Sequence, residues 1–139
     1  MRRLICILLI LMMMAPAAMA ESMPGWASAV VSETNRDRAK AGLHPLVLDA
    51  SLSAAACVRA QEIVKKFSHI RPNGQRGVSI YPSAKAENIA KGQQYVAKVM
   101  AAWMSSAGHK RNILRRSSTK IGVYAYRHNG IMYWVQLFN

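Results

Sequence analysis

KIGVYAYRHNGIMYWVQLF, residues 120–138, carries the clearest structural signal in this 139-residue chain. β-branched and aromatic side chains fill two runs, Lys120 to Tyr126 and Ile131 to Phe138, and such residues favour strands. Between them lies Asn129-Gly130, a dipeptide typical of the tight turn that joins two antiparallel strands. The segment therefore predicts a β-hairpin.

Helical patterns precede the hairpin. Pro24 suits the first turn of a helix from Trp26 to Ala41, which Gly42 ends. Asp49 is the expected N-cap of a second helix. The apolar residues of this second helix recur at intervals of three and four, which predicts one buried face. That face consists of Leu52, Ala56, Ala60, Ile63 and Phe67.

A long loop is predicted from Ser68 to Ala86, because Pro and Gly turn signals replace the helical pattern there. A third helix follows and ends near Ala107-Gly108, and a short helical turn is predicted around Arg111 to Leu114. The order helix, helix, loop, helix, hairpin lacks the alternation of a parallel βαβ sheet. We therefore predict an α+β fold with helices covering a small antiparallel sheet.

The first twenty residues have the pattern of a secretory signal peptide. Arg2 and Arg3 precede an apolar run from Leu4 to Met14, and Ala18-Met19-Ala20 is a small-x-small cleavage site. Cleavage there would leave 119 residues, which we expect to form one domain, 21–139, in the periplasm or outside the cell. No later apolar run is long enough for a membrane span, and we expect a soluble monomer.

Cleavage would also leave a single cysteine, Cys57, so an internal disulfide is excluded and stability must come from packing. We expect Cys57 to be a small buried apolar residue.

The whole chain has a net charge of +13, and the mature chain would have +11. Such a protein is expected to adhere to anionic envelope components or lipid head groups. Sequence-specific nucleic-acid binding is not supported, because no recognition motif accompanies the basic residues.

His69, Glu87 and His109 are the residues whose chemistry suggests a site. His69 begins the long loop, Glu87 follows it, and His109 comes just after the third helix. Imidazole and carboxylate groups together suit a zinc ion or a general acid/base pair, provided that the fold brings them together. His44 and His128 lie in predicted turns, where we expect them to be solvated.

Several blocks of the sequence resemble the CAP superfamily, which includes cysteine-rich secretory proteins, antigen 5 and plant pathogenesis-related 1 proteins. The resemblance is to its compact bacterial branch and covers nearly all of the predicted mature chain. The blocks are Asn35-x-x-Arg38-x-x-x-Gly42-Leu43, Phe67-Ser68-His69, Ala86-Glu87-Asn88-Ile89-Ala90, Trp103-Met104-Ser105-Ser106-Ala107-Gly108-His109, Asn112-Ile113-Leu114, Ile121-Gly122-Val123 and Tyr133-Trp134-Val135-Gln136.

This resemblance implies an α-β-α sandwich with a central cleft that can hold a divalent cation, most often zinc. In many members of the family the cleft has two histidines and two acidic residues; here His69, His109 and Glu87 match three of these four positions. Ser106 occupies the position of the second acid, so weaker cation binding is expected. The resemblance also assigns structural roles to a set of polar and aromatic residues. These are Asn35, Arg38, Asn88, Trp103, Asn112, Trp134 and Gln136.

Three functions are open at this point. The first, which we favour, is a secreted binding module whose cleft takes a cation or a small or lipid ligand. The second is a metal-assisted hydrolase of envelope peptides or wall polymers, with His69 and His109 holding the metal and Glu87 as the catalytic base. The third is a virulence or defence effector, which only the predicted secretion supports. A serine hydrolase is disfavoured because no third group orients Ser68 or Ser106 beside a histidine.

Overall fold

A computed structural model describes residues 21–22 and 24–139, and the predicted signal peptide at 1–20 lies outside them. The elements in chain order are β1 (Glu21–Ser22), α1 (Pro24–Lys40), β2 (Val47–Leu48), α2 (Ala50–Lys65), a 3₁₀ helix (Gly77–Ile80), β3 (Ala86–Lys91), α3 (Val96–Met104), α4 (Ala107–Ile113), β4 (Lys120–His128) and β5 (Ile131–Phe138).

The C-terminal hairpin forms as predicted. β4 and β5 pair antiparallel from Ile121 opposite Phe138 to His128 opposite Ile131. The turn residues Asn129 and Gly130 both have positive φ angles, 49° and 75°, as the tight turns of hairpins require. The sheet has the order β1-β4-β5-β3, and β2 adds a short parallel pairing to β4.

β3 is a strand that the sequence did not predict. Its residues AENIAK include Ala, Glu and Asn, which are depleted in strands, so the local signal is weak. The strand forms because it pairs antiparallel with β5, from Ala86 opposite Phe138 to Lys91 opposite Tyr133. Its first five residues are buried. This tertiary pairing brings Glu87 and its neighbours into the interior.

Helices cover both faces of the sheet, and the side chains of β5 separate the two cores. Met132, Trp134 and Phe138 pack in one core with residues of α1, α3 and α4. The alternate residues Tyr133 and Val135 pack with α2 in the other core, together with Leu137. The predicted α+β sandwich is therefore confirmed.

The structure corrects three details of the sequence prediction. Asp49 caps α2 as expected, since its side chain accepts a hydrogen bond of 2.8 Å from the Leu52 amide. However, α2 ends at Lys65, and Phe67 lies beyond it with 44% of its surface exposed, so its assignment to the buried face was wrong. Gly108 does not end a helix but lies inside α4. Cys57 is only partly buried rather than buried.

Candidate functional site

A cavity of about 350 Å³ lies where β3 and α4 meet the loop around the 3₁₀ helix. We call it the polar cleft. All four residues predicted for the site, His69, Glu87, Ser106 and His109, line it. The lining also contains Arg76, Lys85, Arg111 and Asn112, and its apolar side chains are those of Val78 and Ala86. A larger cavity, about 560 Å³ near Pro82 and Arg115, is lined by neither a histidine nor an acidic side chain of the described residues.

Glu87 forms the floor of the polar cleft and is held on both carboxylate oxygens. Arg59 donates to it through Nε to Oε2 at 2.6 Å and through Nη2 to Oε1 at 3.0 Å. His69 donates from Nδ1 to Oε1 at 3.0 Å. Gly77 packs so closely on this carboxylate that a Cβ atom there would overlap it. Glu87 is therefore bound in a fixed orientation.

Arg59 is a partner of the site that the sequence did not reveal. It is fully buried on α2, and its Nη1 and Nη2 also donate to Glu62 at 2.6 Å and to the carbonyl oxygen of Ser68 at 2.9 Å. A signal was present, because Arg59 falls on the apolar face of α2, three residues after Ala56. An arginine at such a position needs a buried anionic partner.

The environment of Glu87 determines its protonation state. Burial opposes ionisation of this carboxyl, but the hydrogen bonds and charges of His69 and Arg59 outweigh it and lower its pKa below 4.5. A general base works best when its pKa is near the working pH. Glu87 is thus an ionised, fully engaged ion-pair partner at neutral pH, which is a poor starting point for proton abstraction.

The two histidines of the cleft differ in exposure. The His69 side chain is 59% exposed, although its Nδ1 is bound to Glu87. His109 lies on α4 and is partly buried. Burial lowers the pKa of His109 below 6.5, and the nearby charge of His69 lowers it further. His109 therefore presents a neutral imidazole to the cleft at neutral pH.

A network of amides fixes the backbone around these groups. Asn88 donates to the carbonyl oxygen of His109 at 3.1 Å and to Gln136 at 3.0 Å. Asn112 donates to the carbonyl oxygen of Glu87 at 3.2 Å and to the side chain of Asn88 at 2.9 Å. These contacts fit the structural roles expected for the three amides.

Three further residues were singled out in the sequence, and of these three Ser106 alone lines the cleft. Ser106 precedes α4, and its hydroxyl does not cap the helix. His44 is exposed, with Nε2 3.1 Å from the carbonyl oxygen of Ser118. The ring of His128 stacks on Tyr126 at 6.2 Å between centroids. Neither His44 nor His128 lines the cleft.

The donor set of the cleft does not fit a tight zinc site. Within the described part of the chain, no three or more His, Cys, Asp or Glu side chains are grouped to hold a metal ion. Zinc in proteins takes three or four such ligands. Glu87 is engaged by Arg59 and His69, so among the described residues the imidazoles of His69 and His109 are the donors that remain.

Comparison with known proteins gives one family and several relatives. Residues 31–138 match the CAP family, described as the cysteine-rich secretory protein family. The uncharacterized protein YkwD of Bacillus subtilis (strain 168) is 38% identical in an alignment of 125 residues that covers 84% of this chain. The alignment covers 48% of YkwD, so the chain spans about half the length of this relative.

Solved structures share the fold. An outer surface protein from Borrelia burgdorferi superposes with a TM-score of 0.73 at 22% identity, over 86% of this chain and 97% of that one. An extracellular protein containing an SCP domain from Bacillus anthracis str. Ames has a TM-score of 0.70 at 21% identity, over 84% and 41%. NaASP2, whose structure was solved with Zn²⁺, has a TM-score of 0.66 at 15% identity, over 85% and 80%.

Proposed function

The chain belongs to the CAP family of cysteine-rich secretory proteins, and on that premise we propose that it is an exported binding module. The polar cleft takes a small ligand and does not transform it. The state of Glu87 carries this proposal. Among the described residues it is the one acidic side chain that lines the cleft, and it is ion-paired with buried Arg59. A cleft built in this way can bind, but the described residues offer it no free carboxylate for acid/base chemistry.

A metal-assisted hydrolase is the alternative, and the geometry supports it less. That mechanism needs a metal-bound water and a free base beside it. His69 and His109 are the two candidate metal ligands, and Glu87, the candidate base, is already bound by two donors. We expect a divalent cation such as zinc to bind weakly to the two imidazoles.

Export is supported by the predicted signal peptide and by the extracellular SCP-domain relative. No helix in the described part of the chain is long and apolar enough to cross a membrane. With +11 charges on the mature chain, its expected surroundings are anionic envelope components or lipid head groups.

The proposal is tested by turnover and by binding in parallel. The protein without its signal peptide is incubated with peptidoglycan and with a mixed peptide substrate, with and without zinc, and products are followed by mass spectrometry. Zinc binding is titrated by calorimetry into metal-stripped protein and into His69→Ala and His109→Ala. We expect no products, and weak zinc binding that is lost in both variants.

Product formation that disappears in Glu87→Gln or His69→Ala would overturn the binding-module proposal in favour of the hydrolase. Glu33→Gln is the matched control for Glu87→Gln, because Glu33 is a carboxylate on the surface of α1 that pairs only with Arg36 among the described residues.

A further inference from the structure

Three basic side chains converge on the polar cleft from three parts of the chain. Arg76 precedes the 3₁₀ helix, Lys85 precedes β3, and Arg111 lies on α4. All three are exposed, and none forms an ion pair with a described acidic side chain. Their positive charge is therefore available to a ligand in the cleft.

Every acidic side chain of residues 24–139 already pairs with a basic side chain of the protein. Glu33, Asp37 and Asp49 pair with Arg36, Lys40 and Lys120, Glu62 pairs with Arg59 and Arg71, and Glu87 pairs with Arg59 and His69. The charge of Glu87 at the cleft floor is offset by Arg59. The rim of the cleft therefore carries a net positive charge that nothing in this part of the protein neutralises.

We propose that the polar cleft binds the phosphate group of a small phosphate monoester or of a lipid head group. Arginine offers a planar fork of donors that matches phosphate oxygens, and lysine adds a mobile charge. The negative charge of a phosphate monoester or diester would be attracted by Arg76, Lys85 and Arg111 together, whereas a free divalent cation would be repelled by them. This inference rests on the proposed function, since it names the ligand class of the same cleft.

The shape and lining of the cleft limit the rest of the ligand. A volume of about 350 Å³ admits a small molecule or a head group. Because its lining is mostly polar, an acyl chain would desolvate charged side chains without any compensating contact. The phosphate group enters the cleft, and any lipid chains stay outside.

Calorimetric titration with inorganic phosphate and with glycerol 3-phosphate tests the proposal, at a fixed ionic strength of about 0.1 M to screen remote charges. We expect saturable binding, and dissociation constants at least about tenfold higher in Arg111→Gln and in Arg76→Gln, since each loses a charge-assisted hydrogen bond. Arg116→Gln is the matched control, because Arg116 is exposed and close to Arg111 in the sequence yet does not line the cleft.

Vesicles distinguish the two sources of phosphate. If Arg111→Gln weakens binding to phosphatidylglycerol vesicles more than Arg116→Gln does, the ligand is a lipid head group. If only the soluble phosphates depend on Arg111, the ligand is a free monoester. Phosphatidylcholine vesicles control for binding without a net negative charge.

Two outcomes would overturn the proposal: no phosphate binding by the unaltered protein, or equal weakening by Arg116→Gln and Arg111→Gln. Melting temperatures of the variants establish that each is folded. A failure of this inference can be distinguished from a failure of the proposed function. If phosphate does not bind but zinc binds without turnover, the phosphate site is wrong and the binding module stands. If the protein hydrolyses its substrates, the binding module itself is wrong.

Discussion

Arg59 and Glu87 form a buried ion pair that joins α2 to β3 beneath the polar cleft. Removing one partner of such a pair leaves an uncompensated charge in the interior, which costs more than the pair itself contributes. Glu87 was predicted as a site residue from its place in the sequence. Its partner was not, because Arg59 lies 28 positions earlier on a different element.

Replacing this arginine should destabilise the fold strongly. We expect Arg59→Met to lower the free energy of unfolding by about 3–5 kcal/mol, because Glu87 and Glu62 both lose their buried partner. Arg59→Lys keeps the charge but not the fork of donors, so a smaller loss is expected. Urea denaturation measures both changes.

The control is Arg36→Met, which removes an arginine from an exposed i,i+3 pair on α1. Its free energy of unfolding should change by no more than about 0.5 kcal/mol. Equal losses in Arg59→Met and Arg36→Met would contradict the importance assigned to the buried pair.

At the scale of elements, the sequence was most informative where patterns are local. The hairpin, the cap of α2 and the three main helices carry their own signals in propensity and spacing. β3 does not, because its strand conformation comes from pairing with β5 and from burial. The close packing of α2 on β4 is also non-local, and it depends on the absence of a side chain at Gly122.

Gly122→Ala should be destabilising. A Cβ atom at this position of β4 would overlap the backbone of Leu52 on α2, so the helix would have to move. We expect a loss of about 1–3 kcal/mol, as for other overpacked sites. Gly108→Ala is the control, and it should stabilise the protein. Gly108 lies in α4 with open space around it, so alanine should raise the free energy of unfolding by about 0.5–1 kcal/mol. Thermal denaturation ranks the two variants; a harmless Gly122→Ala would argue against the close contact.

The hairpin turn gives a second test at this scale. Gly130 has a φ of 75°, a conformation that β-branched residues avoid. Gly130→Val should therefore cost about 1–2 kcal/mol. Asn129→Gly should be nearly neutral, because glycine also adopts the positive φ of 49° found there. If both variants melt at the same temperature, the turn does not constrain the hairpin as we expect.

For the whole molecule, stability should depend on pH in two windows. The pKa of His109 lies below 6.5 in the folded protein because of burial, so the unfolded chain takes up that proton first as the pH falls. Burial opposes ionisation of Glu62 and Glu87, but hydrogen bonds from arginine, and for Glu87 also from His69, outweigh it and lower both pKa values below 4.5. In each case the stabilisation is complete above the unfolded pKa and is lost as the pH falls through the folded pKa.

A comparison of Glu87→Gln with the unaltered protein isolates the acidic window. At pH 7 the variant should be less stable, because the amide cannot replace the ionised partner of Arg59. The difference should shrink as the pH falls from 4.5 towards the lower folded pKa of Glu87, because the unfolded chain then takes up a proton that the ionised carboxylate of the folded protein does not. Urea denaturation between about pH 8 and pH 3 measures it. His109→Gln should instead remove the loss of stability that begins as the pH falls through 6.5, and it should leave the loss of stability below pH 4.5 unchanged. A difference for Glu87→Gln that is constant with pH would contradict the assigned ionisation state.

The amino-acid sequence by itself determined the hairpin, the helices, the excess of positive charge and the family resemblance, because each depends on residues close in the chain or on composition. It also named four residues that line the polar cleft. Only the tertiary structure decided what those residues can do. Pairing of β3 with β5 buried Glu87, and packing of α2 placed Arg59 against its carboxylate, while Arg76, Lys85 and Arg111 were gathered at the rim. The net charge of a site depends on residues that are distant in the sequence, so a local sequence pattern does not predict it.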